Sequence, residues 1–145
     1  MDITIINLQT RIPLRLTRIK KNAQKALQYL GISAADLSIV FVSAQKMKRL
    51  NTRHLRHSYE TDILTFNYAQ ADSDFLMAEI IICPSVARIQ AKQYGVPLEK
   101  EIMLYVVHGI LHVMGFDDHS VKDIKKIRSK EARVMEHLYP TNKTG

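Results

Sequence analysis

Residues 105–119 read Tyr105-Val106-Val107-His108-Gly109-Ile110-Leu111-His112-Val113-Met114-Gly115-Phe116-Asp117-Asp118-His119. The apolar residues around the two histidines predict a helix, and positions i and i+4 lie on one face of it, one turn apart. Two imidazoles placed that way can hold one metal ion through one ring nitrogen each. Gly115 then ends the helix in a left-handed turn. The chain folds back and brings Asp117, Asp118 or His119 toward the same ion. A lone histidine in an apolar helix is ordinarily a packed side chain. A pair followed by a helix-ending glycine and an Asp-Asp-His cluster describes a zinc site with one open coordination position.

Working outward, Pro97 and Leu98 open the helix that carries the histidines, with Glu99 and Glu101 in its first turn, where acidic groups favour the helix dipole. Before it, Pro84 starts a helix that ends at Gly95. Residues 61–67 and 76–82 read as strands. Residues 37–43 are apolar and β-branched, as in a buried strand, and Ser43 caps a short basic helix running to about Leu55. Leu14, Leu16, Ile19, Ala23, Ala26, Leu27 and Leu30 recur at helical spacing, with Gly31 as the stop. Residues 2–8 alternate as a strand. Downstream, Ser120 and Asp123 form a capping pair for a last helix to about Leu138, and residues 139–145 read as a frayed tail. The result is an α/β (α+β) fold: one domain over residues 1–145, with a small sheet of four strands and about five helices.

The 145 residues suffice for one core, and 46% hydrophobic content excludes a disordered chain. No apolar run reaches membrane-spanning length. The start, Met1 to Thr10, reads as a strand, not a signal peptide. A single cysteine, Cys83, read as a packing residue, allows no internal disulfide, which points to the cytoplasm. The net charge of +7 favours an anionic partner, nucleic acid being the commonest. The basic residues gather in three stretches: Arg11 to Lys25, Lys46 to Arg56, and Lys122 to Lys130.

Three protein ligands leave a zinc ion one position for water, whose pKa falls toward neutrality. The expected chemistry is hydrolysis of a peptide or a phosphodiester. Metallopeptidases of this spacing carry Glu directly after the first His as general base. Here that position is Gly109, and the basic surface also leans toward phosphodiesters.

The run His108 to His119 resembles the H-G-x-L-H-x-x-G-[YF]-D-H signature of the YbeY family of bacterial endoribonucleases, also called rRNA maturation factors. Leu50-Asn51 followed by Thr61-Asp62-Ile63-Leu64-Thr65-Phe66 is similar to that family's L-N…T-D-V-L-S-F segment. Ala78 to Ile82 resembles its G-[DE]-I-x-I strand. The likeness covers residues 37–138. It implies a mixed four-stranded sheet and a zinc-dependent endoribonuclease specific for single-stranded RNA. It further implies 16S rRNA 3′-end maturation and late small-subunit quality control. The implied partners are RNA, not DNA, together with the 30S subunit, its proteins and associated GTPases, and no membrane.

Two positions depart from the family pattern. Its third histidine ligand falls on Asp118 when Gly115 is kept in register, and His119 comes one residue later. The expected ligands are therefore His108, His112 and either Asp118 or His119, since carboxylate and imidazole both bind zinc. The family's functional arginine falls on Leu55, next to Arg56, whose guanidinium suits phosphate. The catalytic set is thus Arg56, His108 and His112. Tyr105 and Glu101 share the histidines' face. Either can support a ligand, although Glu101 also reads as a helix N-terminal charge. Asp62 and Thr65 are candidates for the cleft, with strand 61–67 as its floor, and Asp117 either accepts a ligand's N–H or shapes the turn. Two other functions stay open. One is an assembly or RNA-binding factor whose metal is structural, closed by Asp118 and His119 together. The other is a metallopeptidase, which Gly109 disfavours.

Overall fold

A computed structural model of the chain describes residues 1–54, 63–69 and 74–141. Nine elements follow in order: β1 (Asp2–Asn7), α1 (Leu16–Tyr29), β2 (Ala35–Phe41), α2 (Ala44–His54), β3 (Ile63–Asn67), β4 (Leu76–Ile82), α3 (Pro84–Tyr94), α4 (Leu98–Val113) and α5 (Val121–Leu138). The strands form one sheet in the order β1-β2-β4-β3. β1 pairs parallel with β2 and β2 with β4, while β3 runs antiparallel to β4 at the edge. The mixed four-stranded sheet and five helices match the expected α+β fold.

Alternation along the strands divides the core in two. Leu37, Ile39 and Phe41 of β2, with Ala78, Ile80 and Ile82 of β4, face a large cluster shared with α1, α4 and α5. The intervening Val40 and Ile81, with Leu64 of β3, face a smaller cluster closed by Met47 and Leu50 of α2. Thus α4 crosses one face of the sheet, and basic α2 sits on the other. Nine residues of α4 are buried, so its near-continuous apolar sequence is that of a central helix, wrapped by α1, α3 and α5.

The expected stops and caps are present. The Ser43 hydroxyl accepts from the Lys46 N–H at 3.1 Å, and the Ser120 hydroxyl from the Asp123 N–H at 3.0 Å. Cys83 is fully buried in the smaller cluster, as expected of a packing residue. Tyr139 departs from the expected tail. Its ring packs on the large core, its hydroxyl accepts from Asn22 Nδ2 at 3.3 Å, and Lys100 Nζ lies 5.8 Å from the ring centre. An aromatic body with a polar tip can dock where a purely polar terminus cannot. Residues 142–145 lie outside the described residues.

Candidate metal centre

The site is built on the close approach of α4 to the sheet. A Cβ at Gly109 would lie 2.8 Å from Ile80 Cδ1, 3.0 Å from Thr65 Cγ2 and 3.1 Å from Ile80 Cγ1. Only a residue without a side chain lets the helix sit this low on β3 and β4. The same contact explains why no glutamate follows the first histidine: there is no room for one. Thr65, expected along the cleft, has its methyl against this glycine instead. Farther along, Asn67 Nδ2 reaches the Val113 carbonyl at 3.5 Å and ties the end of β3 to the end of α4.

Past Val113 the chain reverses at Gly115, whose φ is +109°. Its N–H donates to the His112 carbonyl, and the Phe116 N–H donates to the Leu111 carbonyl, both at 3.0 Å. These paired bonds close the helix in a glycine-dependent turn, and Phe116 drops onto the core. Asp117 and Asp118 are thereby carried back toward the histidine face. Gly115→Ala is expected to cost about 1–3 kcal/mol through backbone strain, read as a lowered thermal midpoint, and to weaken metal binding by displacing Asp118.

His108 Nε2 and His112 Nε2 face each other at 2.9 Å, and Asp118 Oδ2 lies 3.8 Å from His112 Nε2. One ligand atom from each of His108, His112 and Asp118 falls within 4.8 Å of the other two. Ligands bound tetrahedrally at typical zinc distances lie about 3.3 Å apart, so the two direct separations bracket the required value. The donor set, two imidazoles and a carboxylate, is one that zinc accepts. On the far side of His108, Nδ1 is 2.7 Å from Glu131 Oε2 of α5. A carboxylate accepts, so Nδ1 carries a proton, and in the neutral tautomer this leaves the Nε2 lone pair directed at His112.

Burial holds the His112 imidazole below its ordinary 6.5. The adjacent His108 adds to this, and Asp118, Asp117 and Glu131 oppose it. His112 is therefore neutral near pH 7, the form that can ligate a metal. The sign of the pH effect follows. Below about pH 6.5 the unfolded chain takes up a proton that the folded site resists, so the unfolded state binds more protons. Stability of the metal-free protein is full above that pH and falls as pH drops through it toward the lower folded value. A pH series of thermal unfolding midpoints should show this fall, and His112→Gln should flatten it.

His108 and Asp118 open onto a cleft of about 710 Å³, lined also by Ile63, Tyr105 and Glu131. The Asp118 side chain is 46% exposed, against 29% for His108 and 24% for His112, so the cluster is open on its aspartate side. Glu101 lies in the first turn of α4, as expected of a helix N-terminal charge, and is also buried and lines the cleft. His119 stands outside the cluster. Its side chain is 81% exposed, with Nε2 3.7 Å from Asp117 Oδ1. Arg56, Leu55 and Asp62 lie outside the described residues. Glu131 was missed in the sequence. Its signal is a carboxylate on the inward stripe of α5, spaced with Ile124, Ile127, Val134 and Leu138.

A helix pressed onto a small mixed sheet, bearing two histidines that meet a returning aspartate, defines a small α+β protein with a candidate three-ligand metal centre. The family model described as "Endoribonuclease YbeY" matches residues 4–139, and the chain belongs to that family. A relative named endoribonuclease YbeY from Polynucleobacter asymbioticus is 34% identical over 139 residues, covering 92% of this chain and 89% of its own. One of the same name from Thermodesulfovibrio yellowstonii is 38% identical over 108 residues, covering 72% and 67%. The solution structure of a Thermotoga maritima protein superposes with a TM-score of 0.67 at 25% identity, covering 94% of this chain and 89% of that one.

Proposed function

We propose that this protein, as one domain over residues 1–145, is a zinc-dependent endoribonuclease cutting single-stranded RNA, with the 3′ end of 16S rRNA as its natural substrate. It acts in the cytoplasm during late maturation and quality control of the small ribosomal subunit, in contact with the 30S particle and its proteins. The observation that carries the reading is the open His108–His112–Asp118 cluster, with its donor atoms within 4.8 Å of one another and His108 and Asp118 lining a cleft. The family and its relatives' names support RNA as the substrate. No helix among the described residues is long and apolar enough to cross a membrane.

His108, His112 and Asp118 would hold the ion. Zinc bound there supplies a Lewis acid and a water acidified toward neutrality. The chain does the rest. Glu131 fixes the His108 tautomer and ring orientation, burial keeps His112 neutral, and the Gly115 turn delivers Asp118. Arg56 is proposed to bind the scissile phosphate through its planar guanidinium. A closed structural site needs His119 as a fourth ligand, and its exposed position beside Asp117 supports three.

The test is a substrate panel with zinc-loaded protein: a single strand spanning the 16S 3′ end, the same strand annealed to its complement, and a peptide mixture. Cleavage confined to the single strand is expected. Peptide cleavage without RNA cleavage, or RNA bound and never cut, would overturn the reading.

A further inference from the structure

Among the described residues lining the cleft there is one cation, Arg128 of α5. It belongs to a series spaced by three: Lys122, Lys125, Arg128 and Glu131. Residues three apart on a helix are surface neighbours, and such a series turns by about 60° per step, so the ridge carries from the cleft side at Glu131 round to the opposite face at Lys122. This ridge ends at Glu131, whose carboxylate lies 2.7 Å from His108 Nδ1. Arg128 is one step from that contact, and Lys125 and Lys122 continue outward over the solvent face of α5. All three cations are exposed, and none pairs with an acidic group among the described residues. Of the three acidic residues on α5, Asp123 sits in the first turn, where its N–H donates to the Ser120 hydroxyl, Glu131 is engaged by His108, and Glu136 accepts from Thr141.

Helix stability does not explain the ridge. Lys122 lies in the first turn of α5, where the helix dipole disfavours cations. The exposed lysines and arginine of α2 sit across the sheet, on the face away from α4.

We propose that Lys122, Lys125 and Arg128 form a phosphate-binding track that leads one RNA strand into the cleft. Arg128 contacts the phosphate nearest the histidines. The proposal rests on the RNA reading above. Of the six Lys and Arg residues of α5, Arg128 alone lines the cleft, with Lys125 and Lys122 as its neighbours in steps of three, and the series ends where the candidate ligands begin.

The experiment measures salt dependence of binding to a short fluorescein-labelled mixed-sequence RNA, in a His112→Ala background so that the probe is not cut. One variant carries Lys122→Gln, Lys125→Gln and Arg128→Gln. A control carries Lys20→Gln, Lys21→Gln and Lys25→Gln on α1, removing the same charge from another surface. Each phosphate contact contributes about 0.7 to the slope of log affinity against log salt for single strands. The track variant is expected to lose about 2 from that slope, and the α1 control to keep it. In the cleavage-competent protein, Arg128→Gln should raise KM, with Arg128→Lys recovering most of the loss. Equal slopes for the two variants would overturn the track and leave the ribonuclease standing. No RNA binding or cleavage by any form would overturn both.

Discussion

The His112→Ala protein is expected to lose zinc affinity by more than about 100-fold, because removal of an outer-shell partner alone typically costs 10–100-fold and this change removes a ligand. Competition against a chromophoric chelator reads the loss directly. Three companion variants grade the account. Glu131→Gln keeps the size of the side chain and removes the charged acceptor that sets the His108 tautomer, so about 10- to 100-fold weaker binding is expected. Asp118→Ala should weaken binding comparably or more, while His119→Ala should leave it unchanged, since His119 lies with Asp117 outside the cluster. If His119→Ala abolished binding and Asp118→Ala did not, the ligand assignment would be wrong.

Substitution at Gly109 is expected to be the most damaging change to the fold around the site. In Gly109→Ala, better helix propensity recovers about 1 kcal/mol, while pressing a methyl into Ile80 costs about 1–3 kcal/mol. The net is a modest destabilisation. Gly109→Glu adds a carboxylate with no space and no partner, and a loss of more than about 4 kcal/mol is expected. The closest atom, Ile80 Cδ1, is the one that Ile80→Val removes. Combining Gly109→Ala with Ile80→Val should therefore cost less than the sum of the two, with coupling of about 0.5–1.5 kcal/mol by denaturant unfolding. Additive losses would show that α4 does not rest on the sheet through this contact. Because His108 precedes Gly109, any lift of the helix also displaces His108 from its contact with Glu131. The glutamate variant should therefore lose metal affinity wherever it still folds.

Much of this was readable beforehand because local chemistry and tertiary structure agree. The two histidines share a helical face whatever the helix packs against, Gly115 adopts a positive φ that few other residues tolerate, and Ser43 and Ser120 cap their helices through contacts three residues away. The parts that escaped depend on contacts distant in sequence. Glu131 meets His108 across 23 residues, and only its place on an inward stripe hinted at it. Gly109 reads as a missing general base, while its physical role, clearance above Ile80 and Thr65, needs the sheet in place. The choice between Asp118 and His119 turned on how the chain leaves Gly115, which spacing leaves open by one residue. Glu101 reads correctly as a helix-start charge, while its burial in the cleft depends on neighbours from other elements.

The most direct test of the central claim is cleavage of a single-stranded RNA spanning the 16S 3′ end by three preparations: the protein as purified, the protein stripped by chelator and then resupplied with zinc, and His112→Ala. Cutting is expected to disappear on stripping, to return with zinc and never to appear in the variant. Cutting that persists in stripped protein or in His112→Ala would contradict that claim, because the chemistry would then not depend on the cluster at His108, His112 and Asp118.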